Sequence, residues 1–137
     1  MWIIFALLSA FFAALTSILA KIGIQDINSN LATAIRTVVV LVMAWIIVFA
    51  TGKQSGLASI GQKNLIFLGL SGIATGLSWL CYYRALQIGE VSKVLPVDKF
   101  SLVLGMVMAF IILKETITIK AIIGGVFITI GTFVLIF

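Results

Sequence analysis

Histidine is absent from this sequence, cysteine and proline occur once each, as Cys81 and Pro96, and acidic residues number only four. Without histidine, the base of Ser-His chemistry and the commonest zinc and haem ligand are missing. A lone cysteine makes neither an intramolecular disulfide nor a metal cluster. Charge of either sign is scarce: Asp, Glu, Lys and Arg make up 9% of the 137 residues, against about 25% in an ordinary soluble domain. Apolar residues make up 63%, and the mean hydropathy is +1.32. So few charges cannot solvate a chain of this length, which excludes a water-soluble enzyme and, by the same numbers, disorder. No catalysis, cofactor, metal or nucleic-acid partner is expected.

What the sequence does have is long apolar runs. About 20 mostly apolar residues cross the hydrocarbon core of a bilayer. Residues 2–20, 31–50, 65–83, 94–113 and 119–137 meet that length, the last with its uncharged part at 121–137. Strands of a membrane barrel alternate apolar and polar residues, whereas Val38 to Trp45 is apolar at every position. Helices satisfy their own backbone in lipid. The expected fold is therefore an all-α membrane protein, with five transmembrane helices in one domain spanning 1–137. The second and fourth spans are uncharged only over 37–50 and 100–113, so they cross only if Arg36, and Asp98 with Lys99, lie inside the membrane edge. Nothing basic precedes Trp2, so residues 2–20 read as an uncleaved span and not a signal peptide. The connections are short, and Gly52, Ser55, Gly56, Ser59 and Gly61 make the second the most flexible.

An odd number of spans puts the termini on opposite sides of the membrane. Lys53, Lys63, Lys114 and Lys120 then share the N-terminal face, opposite Lys21, Arg36, Arg84, Lys93 and Lys99. Discounting Arg36, Arg84 and Lys99, which lie nearest the membrane or inside it, leaves a weak bias toward an inside N-terminus. A single orientation and insertion in both orientations stay open.

Small residues recur at helical spacing in four spans: Ser9, Ala13 and Ser17; Gly72 and Gly76; Ser101, Gly105 and Ala109; Ala121 and Gly125. Such faces let helices approach closely, and ordinary bundle packing is the default reading of each. Asp98 and Lys99 are more informative, because ionisable residues within a span commonly mark substrate or ion pathways. Asp98 continues the Ser101–Gly105 face. Pro96 sits in the first turn of its span, where a missing donor costs least, or permits a local break. Connectivity brings Arg36, Arg84, Asp98 and Lys99 to one membrane level. Three positive charges against one negative favour a carboxylate, phosphate or zwitterion; an Arg36–Asp98 pair that merely lets both helices insert is the alternative. Ser71, Thr75, Ser78 and Tyr82 form a stripe that either lines a cavity or bonds its own backbone. Trp79, Tyr82 and Tyr83 form an interfacial aromatic belt or a ligand cage.

The string Trp79-Leu80-Cys81-Tyr82-Tyr83-Arg84-Ala85-Leu86-Gln87-Ile88-Gly89, then Val94-Leu95-Pro96-Val97-Asp98-Lys99-Phe100-Ser101, then Lys114-Glu115-Thr116, resembles the EamA domain of the drug/metabolite transporter superfamily. Ala34-Ile35-Arg36-Thr37 also fits its short bacterial and archaeal members, which consist of a single five-span repeat. The resemblance covers nearly the whole chain. It implies a multi-pass protein of the cytoplasmic (inner) membrane that moves a small organic metabolite by alternating access. Joining two five-span repeats gives an inverted pair with the site at their interface, so a lone repeat implies a partner, naturally an antiparallel homodimer. The candidate substrate-binding residues are Arg36, Ser78, Trp79, Tyr82, Tyr83, Arg84, Asp98 and Lys99, with Asp98 also the candidate for ion coupling. Related four-span exporters carry a carboxylate in their first span, and residues 2–20 have none. A non-transporting scaffold or regulatory subunit, and a flippase-like subunit for a lipid-linked anion, are the competing functions. Dual insertion predicts that cysteines introduced at Lys53 and Lys93 are each labelled from both faces of the membrane; strictly one-sided labelling of both rejects it.

Overall fold

The structure, a computed structural model, describes residues 2–137. Its helices are α1 (Trp2–Gly23), α2 (Ser29–Ala50), α3 (Gln62–Ile88), α4 (Val91–Lys99), α5 (Ser101–Leu113) and α6 (Ile119–Ile136), with a short 3-10 turn at Gln54–Ser59. No strand occurs among the described residues. Among the described residues, five segments are long and apolar enough to cross a membrane: α1, α2, α3, the consecutive pair α4–α5 (Val91–Leu113) and α6. The fold is all-α, as the hydropathy pattern requires.

Within each of these segments at most 11% of the apolar window is buried by the chain itself. Trp2, Phe5, Phe127 and Val134 are each at least 70% exposed. Water would not tolerate that much exposed apolar surface, whereas hydrocarbon chains cover it without penalty.

Helix ends are set by specific polar contacts. Asn28 caps α2, its Oδ1 accepting from the backbone N–H of Asn30 at 2.8 Å and of Leu31 at 3.4 Å. Thr118 caps α6 by accepting from the Ala121 N–H at 3.3 Å. Past the end of α2, Gly52 adopts φ +66°, its N–H bonding the Phe49 carbonyl while that of Lys53 reaches back to Val48. This paired geometry satisfies carbonyls that a helix C-terminus otherwise leaves bare.

Two boundaries differ from the sequence expectation. α3 begins at Gln62 and runs on to Ile88, so Arg84 to Ile88 are helical and not part of a loop. At 1.5 Å per residue α3 is about 40 Å long, roughly 10 Å more than the hydrocarbon core. Good helix formers at Ala85, Leu86 and Gln87 carry it past its last apolar turn. The fourth span is broken at Phe100, and Pro96 is the sixth residue of α4, well past its first turn. Proline removes a backbone donor and disturbs the preceding turn. Beyond it, the Phe100 N–H bonds Val97 at 3.0 Å in place of the Pro96 carbonyl four residues back. The Pro96 carbonyl accepts instead from the Thr132 hydroxyl of α6 at 3.3 Å. Thr132 is buried, and α4 packs chiefly against α6. A side-chain hydroxyl thus satisfies a backbone group that the helix no longer serves.

The packing resolves two units. One takes the chain up to Leu19 together with Ile88–Phe137, the other Ala20–Gln87. In the first, α4, α5 and α6 pack together, and Gly125 of α6 admits the Met106 side chain of α5. In the second, Ile24, Ala32, Tyr83 and Leu86 are buried.

Two stability predictions follow from these contacts. Gly52→Ala meets no atom within 4 Å, so its only penalty is the left-handed backbone; it should cost about 1–2 kcal/mol in thermal unfolding in maltoside micelles, with Gly56→Ala near neutral. Thr132→Val strands the Pro96 carbonyl and should cost about 1–3 kcal/mol, while Thr132→Ser keeps the bond and most of the stability.

Candidate functional site

Arg36 is the eighth residue of α2, roughly 10 Å along the helix from its start. Its guanidinium carbon lies 4.4 Å from the ring centroid of Trp79 and 5.3 Å from that of Tyr83. Trp79 and Tyr83 are four residues apart on α3 and so share a face. Each ring is within the roughly 6 Å over which a cation is attracted to an aromatic face, worth about 2 kcal/mol or more when desolvated. An arginine at a span centre costs about 2.5–3.5 kcal/mol on insertion scales, and less nearer the edge. The two rings therefore offset part of that cost without any carboxylate. The Ala20–Gln87 unit holds one acid, Asp26, and Arg36 forms no ion pair with it.

The position of this stack is fixed at the C-terminal end of α3. Lys21 donates its ammonium to the Leu86 carbonyl, a favourable place for a cation at a helix terminus. Gln87 donates its amide to the carbonyls of Ile27, at 2.8 Å, and Ile24, at 3.4 Å. Its own oxygen accepts from Arg84 at 2.8 Å. Ile24 and Leu86 are themselves buried. Tyr83, one turn before Gln87, is 2% exposed, and its hydroxyl has no hydrogen-bond partner among the described residues. A buried polar group left so costs about 1–3 kcal/mol. The Tyr82 ring meets that of Tyr83 edge to face, with centroids 6.1 Å apart.

Asp98 and Lys99 belong to the other unit. The Lys99 ammonium is 3.4 Å from an Asp98 oxygen, and both side chains are partly exposed. Lys99 also lines a cavity of about 310 Å³. α1 supplies most of the remaining wall through Ala6, Ser9, Ala10, Ala13, Ala14 and Ser17, with Leu95 and Leu102 from α4 and α5. Its volume is at the lower end of the range for small-molecule sites, roughly 300–1,000 Å³. A second cavity of similar size, between α5 and α6, is walled almost wholly by apolar side chains such as Val103, Val107 and Ile122.

Of the eight residues proposed from sequence, Arg36, Trp79 and Tyr83 are brought together, with Tyr82 against Tyr83. Arg84 is engaged with Gln87, and Ser78 is exposed on α3. Thr75 donates to the Ser71 carbonyl at 2.9 Å, so this part of the α3 stripe bonds its own backbone. Asp98 and Lys99 form their own pair. Lys21 and Gln87 carry no sequence signal that marks them as positioning residues. The small face of α1, read from sequence as packing, turns out to line the Lys99 cavity. No three carboxylate or thiol groups converge among the described residues.

Comparison with known proteins agrees with this architecture. The EamA-like transporter family matches residues 1–137. An uncharacterized transporter in the cobO 3′ region of Sinorhizobium sp is 45% identical over 134 residues, covering 98% of this chain and 95% of that protein. The uncharacterized protein MJ1333.1 of Methanocaldococcus jannaschii is 29% identical over 133 residues, covering 97% and 94%. No solved structure matches. With five spanning helices and a family match from end to end, this multi-pass membrane protein belongs to the EamA-like transporter family.

Proposed function

We propose that the chain is one repeat of a secondary transporter that moves a small organic metabolite across the cytoplasmic membrane by alternating access. The observation that carries this reading is the solute-sized cavity beside Lys99, walled by small side chains of a membrane-spanning helix. A partly hydrated ammonium at a cavity wall suits the anionic end of a solute, and Asp98, 3.4 Å away, is the carboxylate best placed to exchange a coupling ion. Arg36, Ser78, Trp79, Tyr82, Tyr83 and Arg84 are proposed as further solute contacts.

The working form is proposed to be an antiparallel homodimer, because a single repeat supplies one half of an inverted pair. Glycines support this. A Cβ built on Gly72 or Gly76 of α3 meets no atom within 4 Å. Among the described residues of the Ala20–Gln87 unit their small size serves no contact, and small faces in lipid serve close approach of another helix.

Reconstitution of the purified chain alone into vesicles tests the proposal. Saturable exchange of a small organic anion is expected, with Lys99→Gln and Asp98→Asn each lowering it roughly 10- to 100-fold, the size of a lost charge-assisted contact. Full exchange by both variants overturns the assignment of Asp98 and Lys99. Absence of flux for every solute in a broad metabolite panel overturns transport by the chain alone and points to a scaffold or regulatory subunit.

A further inference from the structure

We infer that Arg36, Trp79 and Tyr83 form a receptor for an oxyanion that presents two oxygens, a carboxylate or a phosphodiester, brought by a free solute or by a lipid headgroup. This deepens the transport proposal and rests on it for the place of these residues among the solute contacts. Two donors here lack acceptors. Arg36 carries five N–H donors in a planar fork, yet among the described residues it makes neither an ion pair nor a hydrogen bond, and its contacts are the faces of Trp79 and Tyr83. Those faces attract the positive charge without cancelling it, and they supply no in-plane oxygen acceptors. The Tyr83 hydroxyl is buried without a partner, on a ring whose centroid is 5.3 Å from the same guanidinium carbon.

The nature of the missing group follows from these donors. A cation is repelled by Arg36. A neutral hydroxyl supplies an acceptor and leaves the positive charge uncompensated. A bare halide answers the charge but not the two parallel donors of the fork. Two oxygens on one planar or tetrahedral centre satisfy the fork in bidentate fashion, with the tyrosine hydroxyl as an additional donor. Nothing acidic in the Ala20–Gln87 unit competes for the place, since Asp26 forms no ion pair there. The clamp of Lys21 and Gln87 on the end of α3 holds both rings in register with α2 before any ligand arrives, which lowers the ordering cost of binding.

The test uses the full chain with Trp2→Phe and Trp45→Phe, so that Trp79 is the sole tryptophan and its emission reports the site directly. In neutral maltoside micelles, sodium butyrate is titrated against butyramide, and phosphatidylglycerol against monoolein, which has no phosphate. A saturable change with butyrate and not butyramide supports a free carboxylate as the source. A change with phosphatidylglycerol and not monoolein supports a headgroup. In either case Arg36→Lys should weaken binding about tenfold through loss of the bidentate fork, Arg36→Gln should abolish it, and Tyr83→Phe should weaken it severalfold. Equal responses to the neutral analogues, a response that survives in Arg36→Gln, or no saturable response to either oxyanion overturns the inference. Should Arg36→Gln not fold, Arg36→Lys and Tyr83→Phe decide the matter, unchanged affinity in both being the negative result. Because emission reads binding alone, flux without binding sinks this inference and spares transport, and binding without flux does the reverse.

Discussion

Hydrocarbon offers no hydrogen bonds, and this constraint shapes the chain more than side-chain packing does. At several places where a helix does not serve its own backbone, a named group intervenes, although the starts of α4 and α5 have no side-chain cap. Thr132 serves the Pro96 carbonyl, Asn28 and Thr118 cap two helix starts, and Gly52 closes the end of α2. Hydroxyls within the helices behave the same way: Ser17, Thr33, Thr37, Thr75 and Thr129 each donate to a carbonyl four residues back. Polar side chains used in this manner are spent on structure. Those left over, chiefly Arg36, Tyr83 and the Asp98–Lys99 pair, make a short list from which any solute chemistry must be drawn.

The two units solve the problem of charge in a span differently, and the difference bears on function. Lys99 has its counter-charge beside it in Asp98, so the pair is nearly neutral and its partial exposure keeps it in touch with water. Arg36 has aromatic faces instead, which stabilise a positive charge without cancelling it. A charge that is tolerated yet uncancelled keeps its attraction for an anion; one that is already paired must exchange partners to bind. The first arrangement suits recognition, the second suits a step in which a proton or ligand is traded.

The helices and their lipid-facing character were legible, and Arg36, Asp98 and Lys99 stood out as ionisable residues within spans, because hydropathy and charge are local properties of sequence. The break near Pro96 stood in the sequence only as one of two readings, since the donor that tolerates it sits 36 residues away on α6. The end of α3 was missed for the same reason: the acceptors that hold Gln87, on Ile24 and Ile27, lie 60 or more residues upstream. Trp79 and Tyr83 illustrate a third limit. A tryptophan and a tyrosine near a helix end are compatible with a membrane belt or a cage, and the contact with Arg36 that bears on the choice lies between two helices. The small residues of α1 show the converse, since a face of alanines and serines permits close packing or leaves a void depending on what lies opposite.

The location of the Arg36 stack explains why it can be ordered in a chain that buries so little. Ala32 and Thr33, four and three residues before Arg36, are buried, and so share with it one side of α2. Tyr83 and Leu86 do the same on α3, and Trp79 lies one turn further along that side. The face that carries the candidate site is therefore continuous with the face that packs, and its rotation is set by bonds to backbone carbonyls at Ile24, Ile27 and Leu86. Carbonyls at a turn and a helix end are fixed by the chain path, so this anchoring needs no large core. Away from that end, α2 and α3 present exposed apolar side chains from Val38 to Phe49 and from Leu65 to Leu77. Order is concentrated where the charge must be held, and the rest of each helix is left to lipid or to another helix.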